Sequence, residues 1–187
     1  MPAFLTSLLA CIPKWIEQAE YHYNEVSLQV KPEHLQPVLR FLRDHTQTQF
    51  KVFIDLCGVD YPAREKRFEV VLHLLSVQTN ARIRVKTQLS DFEAVPTTVD
   101  LFSAATWWER ETWDLYGIFF EGNPDLRRLL TDYGFEGHPM RKDFPLSGFT
   151  EVRYDDSSKR VIYEPIELAQ AFRTFKFAQP WDQLPKT

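Results

Sequence analysis

Residues 68–87 read FEVVLHLLSVQTNARIRVKT, and this stretch decides the fold. Two apolar runs, Phe68–Val77 and Ala81–Thr87, flank the short polar turn Gln78–Asn80, which is the pattern of a β-hairpin. In the second run, apolar and basic residues alternate, so the two kinds are predicted to lie on opposite faces of the strand. The basic residues, expected on a solvated face, are Arg82, Arg84 and Lys86. A β-sheet is therefore predicted at the centre of the chain.

Regular elements before the hairpin extend this sheet. Alternating apolar residues predict strands over residues 25–30 and 50–56. In the second of these strands, four residues are expected to share one face: Phe50, Val52, Ile54 and Leu56. Between the two strands, apolar residues at helical spacing after Pro32 predict a helix that ends near His45.

A second helix follows the hairpin and completes the predicted domain. It is expected from about Ala104 to Tyr116, and Gly117 is placed to end it in a left-handed conformation. The order of elements predicts an α+β class, in which residues 25–120 form a compact domain with a single sheet and flanking helices on one face.

The two ends of the chain differ from this domain. Residues 1–24 contain an apolar run without the basic flank and cleavage site of a signal peptide, so they are predicted to form an N-terminal docking helix. Residues 121–187 hold six of the 12 prolines and four of the six glycines, which predicts a long, largely irregular C-terminal tail with one short helix over Glu164–Phe175. The tail is rich in aromatic residues, which would form an aggregation-prone surface if exposed together in a monomer. We therefore expect it to lie against its own sheet or against another protein, and favour a mixture of the two, with the tail binding partners in part.

The composition of the 187 residues limits the possible functions. A hydrophobic fraction of 44% predicts a folded chain, and no segment approaches the roughly 20 apolar residues that a membrane span needs. Cys11 and Cys57 have no neighbouring Cys or His cluster, so a disulfide framework, a structural zinc and an iron–sulfur cluster are not expected. A net charge of −4 without a basic block disfavours nucleic acid as a partner.

The densest polar and aromatic cluster reads WWERETWDLYG over residues 107–117. On a helix, Arg110 and Asp114 are four residues apart and can form an ion pair. One interpretation makes Glu111 and Asp114 an acid/base pair whose pKa values are separated by the nearby tryptophans. The other is an amphipathic helix with aromatic packing and ion pairs to a neighbouring segment, which accounts for every residue without a substrate.

Three single residues receive structural interpretations. His138 precedes a proline and His73 lies in an apolar strand, so each is predicted to be a hydrogen-bonded structural histidine and not a metal ligand. Cys57, at a strand end, is predicted to be a small buried residue.

Two segments of the tail, Asp125–Arg128 and Arg141–Leu146, combine arginines, carboxylates and apolar anchors. Arginine and aromatic residues anchor protein interfaces, and arginine can bind a carboxylate through two hydrogen bonds. These segments are therefore predicted to contact partners. The predicted partner-interface residues are Arg127, Arg128, Tyr133, His138, Arg141, Lys142, Asp143, Phe144 and Arg153.

Several motifs carry a family resemblance. Residues 109–116 read ERETWDLY, residues 124–128 read PDLRR, and residues 131–148 read TDYGFEGHPMRKDFPLSG. Together with IDLCGVDYP at 54–62, they resemble the thirty-kilodalton subunit of respiratory NADH:ubiquinone oxidoreductase (complex I), in its mitochondrial branch. The family signature residues are Glu109, Arg110, Glu111, Asp114, Leu115 and Tyr116. Asn123 stands where the family pattern usually has His or Lys.

The resemblance implies a non-catalytic core subunit in the quinone module of the peripheral arm, inside an enzyme that passes electrons from NADH to ubiquinone and translocates protons. Such a subunit binds no cofactor itself, and FMN and the iron–sulfur clusters are expected in other subunits. Its chief implied partner is the quinone-site subunit, which is similar to hydrogenase large subunits. The implied location is the matrix side of the mitochondrial inner membrane, or the cytoplasmic face of a bacterial plasma membrane.

A rival hypothesis remains open at this point. It describes a free-standing enzyme that acts on a small anionic substrate. Glu111 and Asp114 would be its acid/base groups, and Arg141 and Lys142 would hold the anion.

Overall fold

The computed structural model describes residues 3–175, with side chains from residue 6 onward. The chain divides into two compact units, one that ends at Phe144 and one that begins at Pro145. Residues 121–144, which their composition assigns to the predicted tail, therefore belong to the same unit as the central sheet.

The helices and strands follow the chain in this order: α1 (Ala3–Cys11), β1 (Ile16–His22), β2 (Glu25–Val30), a 3-10 turn (Pro32–His34), α2 (Leu35–Asp44), β3 (Val52–Asp60), β4 (Phe68–Ser76), β5 (Ala81–Leu89), β6 (Val95–Pro96), α3 (Ala105–Tyr116), β7 (Phe120–Glu121), β8 (Thr150–Asp155) and β9 (Arg160–Pro165). The predicted α+β class, with one main sheet and flanking helices, is confirmed.

The main sheet has five strands in the order β1-β2-β5-β4-β3. Strand β2 runs parallel to β5, and the other neighbours are antiparallel. The predicted hairpin is the β4–β5 pair, in which His73 lies opposite Arg84. Alternate residues of β2, β4 and β5 face a core that also contains the apolar stripe of α2 and two residues of the N-terminal segment, Leu8 and Ile12.

The opposite face of the sheet carries a hydrogen-bonded chain of polar residues. Arg84 Nε donates to His73 Nε2 at 2.8 Å, so the His73 proton lies on Nδ1, 2.6 Å from Asp55 Oδ1. Arg84 Nη2 also donates to Glu25 at 3.2 Å. His73 is hydrogen-bonded as predicted. Arg84 is paired across three strands instead of being simply solvated.

Strand β3 departs from the predicted pattern. A register irregularity lies between Phe53 and Asp55, so Val52 and Ile54 are each 38% exposed while Phe53 packs against the core. The predicted common face was wrong because a bulge moves the following side chains to the other side of the strand. Cys57 is exposed on β3, and its predicted burial was also wrong.

Two further elements differ from the sequence prediction. Strand β1 lies in residues that were predicted only as a docking segment. The sequence did not predict this strand because it is an edge strand whose pairing shifts near Ile16 and whose burial does not alternate cleanly. In the second unit, β9 ends at Pro165 and residues 166–175 contain no helix, so the predicted helix over Glu164–Phe175 was wrong. Strands β8 and β9 form an antiparallel hairpin there instead.

Candidate functional site

The candidate site is built around helix α3 and the segment that follows it. The helix ends at Gly117, whose φ of 75° is left-handed as predicted, and whose N–H donates to Trp113 O. The chain then forms β7, which pairs with β6, and residues 122–144 return along the helix. We call residues 122–144 the α3 loop.

Glu109 fixes the start of the α3 loop. Its fully buried carboxylate accepts hydrogen bonds from Thr97 Oγ1 at 2.7 Å, from Thr98 N at 2.7 Å and from Thr98 Oγ1 at 2.8 Å. Asn123 Nδ2 adds a fourth at 2.8 Å. One side chain of α3 therefore holds the residues after β6 and the residues after β7 together. An amide at position 123 supplies the donor that this carboxylate needs.

Asp114 fixes the middle of the α3 loop. Its buried carboxylate accepts from the backbone N–H groups of Leu129, Leu130 and Thr131 at 3.1, 2.7 and 2.8 Å. Thr131 Oγ1 and Arg128 Nη1 donate as well, at 2.6 and 3.1 Å. Burial raises the pKa of Asp114, but these hydrogen bonds outweigh it and lower the pKa to about 2.

Arg110 completes this attachment from the same helix. Its guanidinium donates from Nε to Arg127 O and from Nη2 to Arg128 O, both at 3.2 Å. The ion pair with Asp114 expected from sequence spacing is replaced by these contacts, because Arg128 occupies the Asp114 carboxylate. The backbone of 127–131 is thus held through both its carbonyl and its N–H groups.

The end of the α3 loop caps the C-terminus of α3. Met140 N donates to Leu115 O at 3.0 Å, and Arg141 Nε donates to Tyr116 O at 2.6 Å. His138 Nδ1 lies 2.9 Å from Asp114 O, and burial lowers the pKa of His138, which favours the neutral ring that donates this bond. Carbonyl groups that a helix end normally leaves unpaired are satisfied here.

A second anchor ties the loop to the end of the sheet. Asp60 accepts from Arg67 Nε at 2.7 Å and from the backbone N–H of Lys142 at 2.7 Å. Arg67 Nη2 also donates to Asp143 Oδ1 at 2.9 Å. Hydrogen bonds from Arg67 lower the pKa of both carboxyl groups, so all three side chains are charged at neutral pH.

The predicted interface residues fall into two groups. Those whose side chains hold the α3 loop in place through contacts with α3, with the end of the sheet or within the loop are Arg128, His138, Arg141, Asp143 and Phe144. Lys142 and Arg127 are exposed, and Arg127 pairs with Asp125 at 3.0 Å. Tyr133 is 99% exposed. Arg153 lies in the second unit and forms a two-point ion pair with Glu164.

The acid/base interpretation of Glu111 and Asp114 is not supported. Asp114 is fully buried and its oxygens are occupied by five donors, so it is not available to a substrate. Arg141, the proposed anion clamp, is engaged by the carbonyl of Tyr116. Across residues 3–175, no group of three or more His, Cys, Asp or Glu side chains could hold a metal ion, and no helix is long and apolar enough to cross a membrane.

Sequence reasoning missed the donors that meet these carboxylates. Thr97 and Thr98 lie in no quoted motif, Thr131 begins the 131–148 motif without any sign of a contact with Asp114, and each threonine lies at least 11 residues away from its partner. The departure at Asn123 was the one available signal, because it marked a position that contacts the signature helix.

Gly117 gives a test of the cap. A Cβ at this position would lie 2.6 Å from both Arg141 Nη2 and His138 Nε2. We expect Gly117→Ala to lower the free energy of unfolding by about 2 kcal/mol, through left-handed strain and displacement of the cap. Gly134→Ala is the matched control, since its φ is 72° but nothing lies within 4 Å of the added Cβ. Urea unfolding measures both, and equal losses would show that the cap adds no stability.

Comparison with known proteins assigns the chain to a family. The family model for the 30 Kd subunit of respiratory-chain NADH dehydrogenase matches residues 28–150. The chain is 54% identical over 183 residues to NADH-ubiquinone oxidoreductase subunit 9 of Prototheca wickerhamii, across 98% of this chain and 95% of that protein. It is 54% identical over 181 residues to the protein of the same name from Reclinomonas americana, across 97% and 89%.

A solved structure shares the fold. A chain in the structure of the membrane-bound sulfane sulfur reductase, an archaeal respiratory membrane complex, matches with a TM-score of 0.65 at 26% identity, across 76% of this chain and 84% of that one. Fold, signature residues and family match agree. This chain belongs to the family of 30 kDa subunits of respiratory-chain NADH dehydrogenase.

Proposed function

We propose that this chain is a non-catalytic subunit of a respiratory NADH:ubiquinone oxidoreductase, and that it holds the quinone-site subunit in the peripheral arm. The observation that carries the proposal is the arrangement of the α3 loop. Its charged signature contacts are made within the chain, whereas several of its apolar side chains face outward. This is the arrangement of a rigid surface for a partner, since a preformed surface loses little entropy on binding.

The outward side chains of the α3 loop form the first candidate surface. Leu130 lies between two residues that Asp114 holds by their N–H groups, yet its own side chain is 59% exposed. Tyr133 and Met140 are exposed on the same loop. Large apolar and aromatic side chains held on fixed backbone are typical anchors of protein interfaces.

The β8–β9 hairpin supplies a second candidate surface, in the other unit. Val152 pairs with Tyr163 and Tyr154 with Val161, and all four side chains are more than half exposed. The other face of the hairpin carries the Arg153–Glu164 ion pair. An isolated two-stranded hairpin is marginal in water, so covering its apolar face by a partner would stabilise it.

The cofactors and the location follow from the same proposal. FMN and iron–sulfur clusters would be carried by other subunits. This agrees with the hydrogen bonds of α3, because its buried carboxylates are occupied by the chain's own N–H and hydroxyl groups. The subunit would lie in the peripheral arm on the matrix side of the mitochondrial inner membrane. One relative, from Candida maltosa, carries the name "Probable NADH-ubiquinone oxidoreductase 30.4 kDa subunit, mitochondrial", which supports this location.

Replacing Leu130 and Tyr133 together by Ser tests the first surface. We expect at least a tenfold drop in the amount of assembled complex, because two exposed anchors of this kind together contribute about 2 kcal/mol or more to an interface. Assembly is measured by native electrophoresis of membranes from cells that carry only the variant chain. Turnover per assembled complex should stay at the normal value.

The control is Phe92→Ser, which removes an equally exposed aromatic side chain outside the α3 loop. Urea unfolding of the purified chains should give the same midpoint for wild type and variants, because none of the three side chains is buried. Normal assembly with reduced turnover per complex would contradict the scaffold role and favour a direct part in the reaction.

A further inference from the structure

Two turns meet at one end of the main sheet and enclose a groove. Because β2 runs parallel to β5, the β1–β2 turn at Tyr23 and Asn24 lies beside the β4–β5 turn at residues 77–80. The space between them has a volume of about 620 Å³. Its wall includes Tyr21, Tyr23, Asn24, Thr79, Asn80 and Arg82, and we call it the turn groove.

The backbone around the turn groove is unusual. Tyr23, Asn24 and Asn80 have φ values of 50°, 68° and 49°, in the left-handed region. Asn tolerates this conformation, and Asn24 Oδ1 accepts a hydrogen bond from the Tyr21 hydroxyl. Tyr23 is a bulky residue for which such a φ is an outlier, and its side chain is 100% exposed. No contact within the described chain accounts for an aromatic residue at this strained position.

The turn groove carries one cationic side chain that is available to a ligand. Glu25, on its rim, is paired with Arg84 at 3.2 Å. Arg82 is exposed and forms no ion pair with any residue from 3 to 175. The groove therefore presents tyrosines, asparagines and one available guanidinium, a combination enriched in protein-binding surfaces. A single cation is too little for nucleic acid, whose binding relies on several phosphate contacts.

The turn groove is remote from the α3 loop. Strand β4 begins beside the anchor formed by Asp60, Arg67 and Asp143 and ends at the groove. Its nine residues span about 30 Å. A protein bound at the groove and a protein bound at the anchored end of the loop would contact opposite ends of one sheet.

We propose that the turn groove is a second protein interface, which binds a carboxylate-bearing loop of another subunit of the same complex. The inference rests on the proposed function and extends it, since the chain then bridges two neighbours instead of binding one. Arg82 pairs with the carboxylate of that loop, and Tyr23 packs against its apolar part. The strained turn holds Tyr23 in the orientation that this contact needs.

Two variants test the interface in the assembled complex. Tyr23→Gly removes the side chain and relieves the left-handed strain, so the urea midpoint of the purified chain should be unchanged or higher, while assembled complex falls at least fivefold. Arg82→Glu should lower assembly to a similar extent. Phe92→Gly and Lys31→Glu are the matched controls, since both side chains are exposed and lie outside the groove, and both should assemble normally.

Photo-crosslinking identifies what occupies the groove. A benzoyl-phenylalanine at position 23 of the purified complex should crosslink to an Asp- or Glu-containing loop of a subunit different from the one reached from position 133. A crosslink to a second copy of this chain or to its own residues 145–187 would overturn the proposal. So would a crosslinking yield no higher than that of a benzoyl-phenylalanine at position 92, or normal assembly of both variants. The two proposals can be distinguished. If the Leu130 and Tyr133 variant fails to assemble while Tyr23→Gly and Arg82→Glu assemble normally, the proposed function stands and only the second interface is lost.

Discussion

Replacing Asp114 by Asn is expected to release the α3 loop from helix α3 and to lower the free energy of unfolding by about 4 kcal/mol. The carboxylate accepts five hydrogen bonds, three of them from the backbone at 129–131. An amide keeps one acceptor oxygen for the three backbone N–H groups, but its NH2 group would then face Arg128 Nη1, which cannot accept, and the remaining hydrogen bonds would lose the negative charge that strengthens them. Each buried donor left without a partner costs about 1–3 kcal/mol, and Arg128 would lose its counter-charge.

Urea unfolding of the purified chain measures this loss as a lower midpoint at an unchanged denaturant slope. Amide hydrogen exchange provides the local readout, because the amides of Leu129–Thr131 should lose protection before the central strands do. The matched control is Asp125→Asn, since Asp125 is exposed and its one ion pair among residues 3–175 is with the exposed Arg127, and it should change stability by less than about 0.5 kcal/mol. Equal effects of the two substitutions would refute the anchoring role of Asp114.

Acid unfolding gives an independent measure of the same carboxylate. Its pKa is about 2 in the folded chain, below the ordinary value of 3.8, so the unfolded state binds the proton more readily. The stability that Asp114 contributes is therefore fully present above about pH 4 and lost as the pH falls toward about 2, by an amount on the order of 2 kcal/mol. Other carboxyl groups titrate in the same range, so the measured quantity is the difference between wild type and Asp114→Asn. That difference should shrink as the pH falls.

Features set by neighbouring residues could be predicted from the sequence. The β4–β5 hairpin follows from two apolar runs around a polar turn, and the end of α3 follows from a glycine after a helical run. Both depend on interactions within a few residues, which the sequence displays directly. The β3 bulge and the edge strand β1 could not be predicted in this way, because pairing with other strands sets their register.

The hydrogen-bond partners of the signature residues could not be predicted from the sequence either. Arg110 and Asp114 have the spacing of a helical ion pair, yet each binds the α3 loop instead. A buried carboxylate gains more from several fixed N–H donors than from one exposed neighbour on its own helix. The sequence marked which residues matter in α3, but the loop that they hold could be recognised only in three dimensions.

Under the proposed function, the signature residues would act through the surface that they position. Glu109, Arg110 and Asp114 are all buried, and a partner protein would not contact their charged groups. They fix the backbone from which Leu130 and Tyr133 extend outward. Loss of a signature side chain should consequently reduce assembly even though the residue itself lies beneath the interface.

Glu109→Ala should have a comparably large effect on a different part of the molecule. Truncation leaves four donors without an acceptor, three buried ones on Thr97 and Thr98 and a half-buried one on Asn123. We expect a loss of about 4 kcal/mol, which lowers the melting temperature by roughly 8–16 °C for a chain of this size. Because these donors join β6 and β7 to α3, the loss should be global and not confined to the α3 loop.

Glu109→Gln separates the charge from the hydrogen bonds. The glutamine oxygen can still accept from Thr98 N, and the glutamine NH2 can donate to the Thr97 hydroxyl. Only Asn123 Nδ2 would then face another donor, the glutamine NH2. We therefore expect a loss of about 1–2 kcal/mol, clearly smaller than for Ala. Calorimetry of both variants measures the ranking. If Gln were as destabilising as Ala, the negative charge of Glu109, and not its number of acceptors, would be what holds the two segments together.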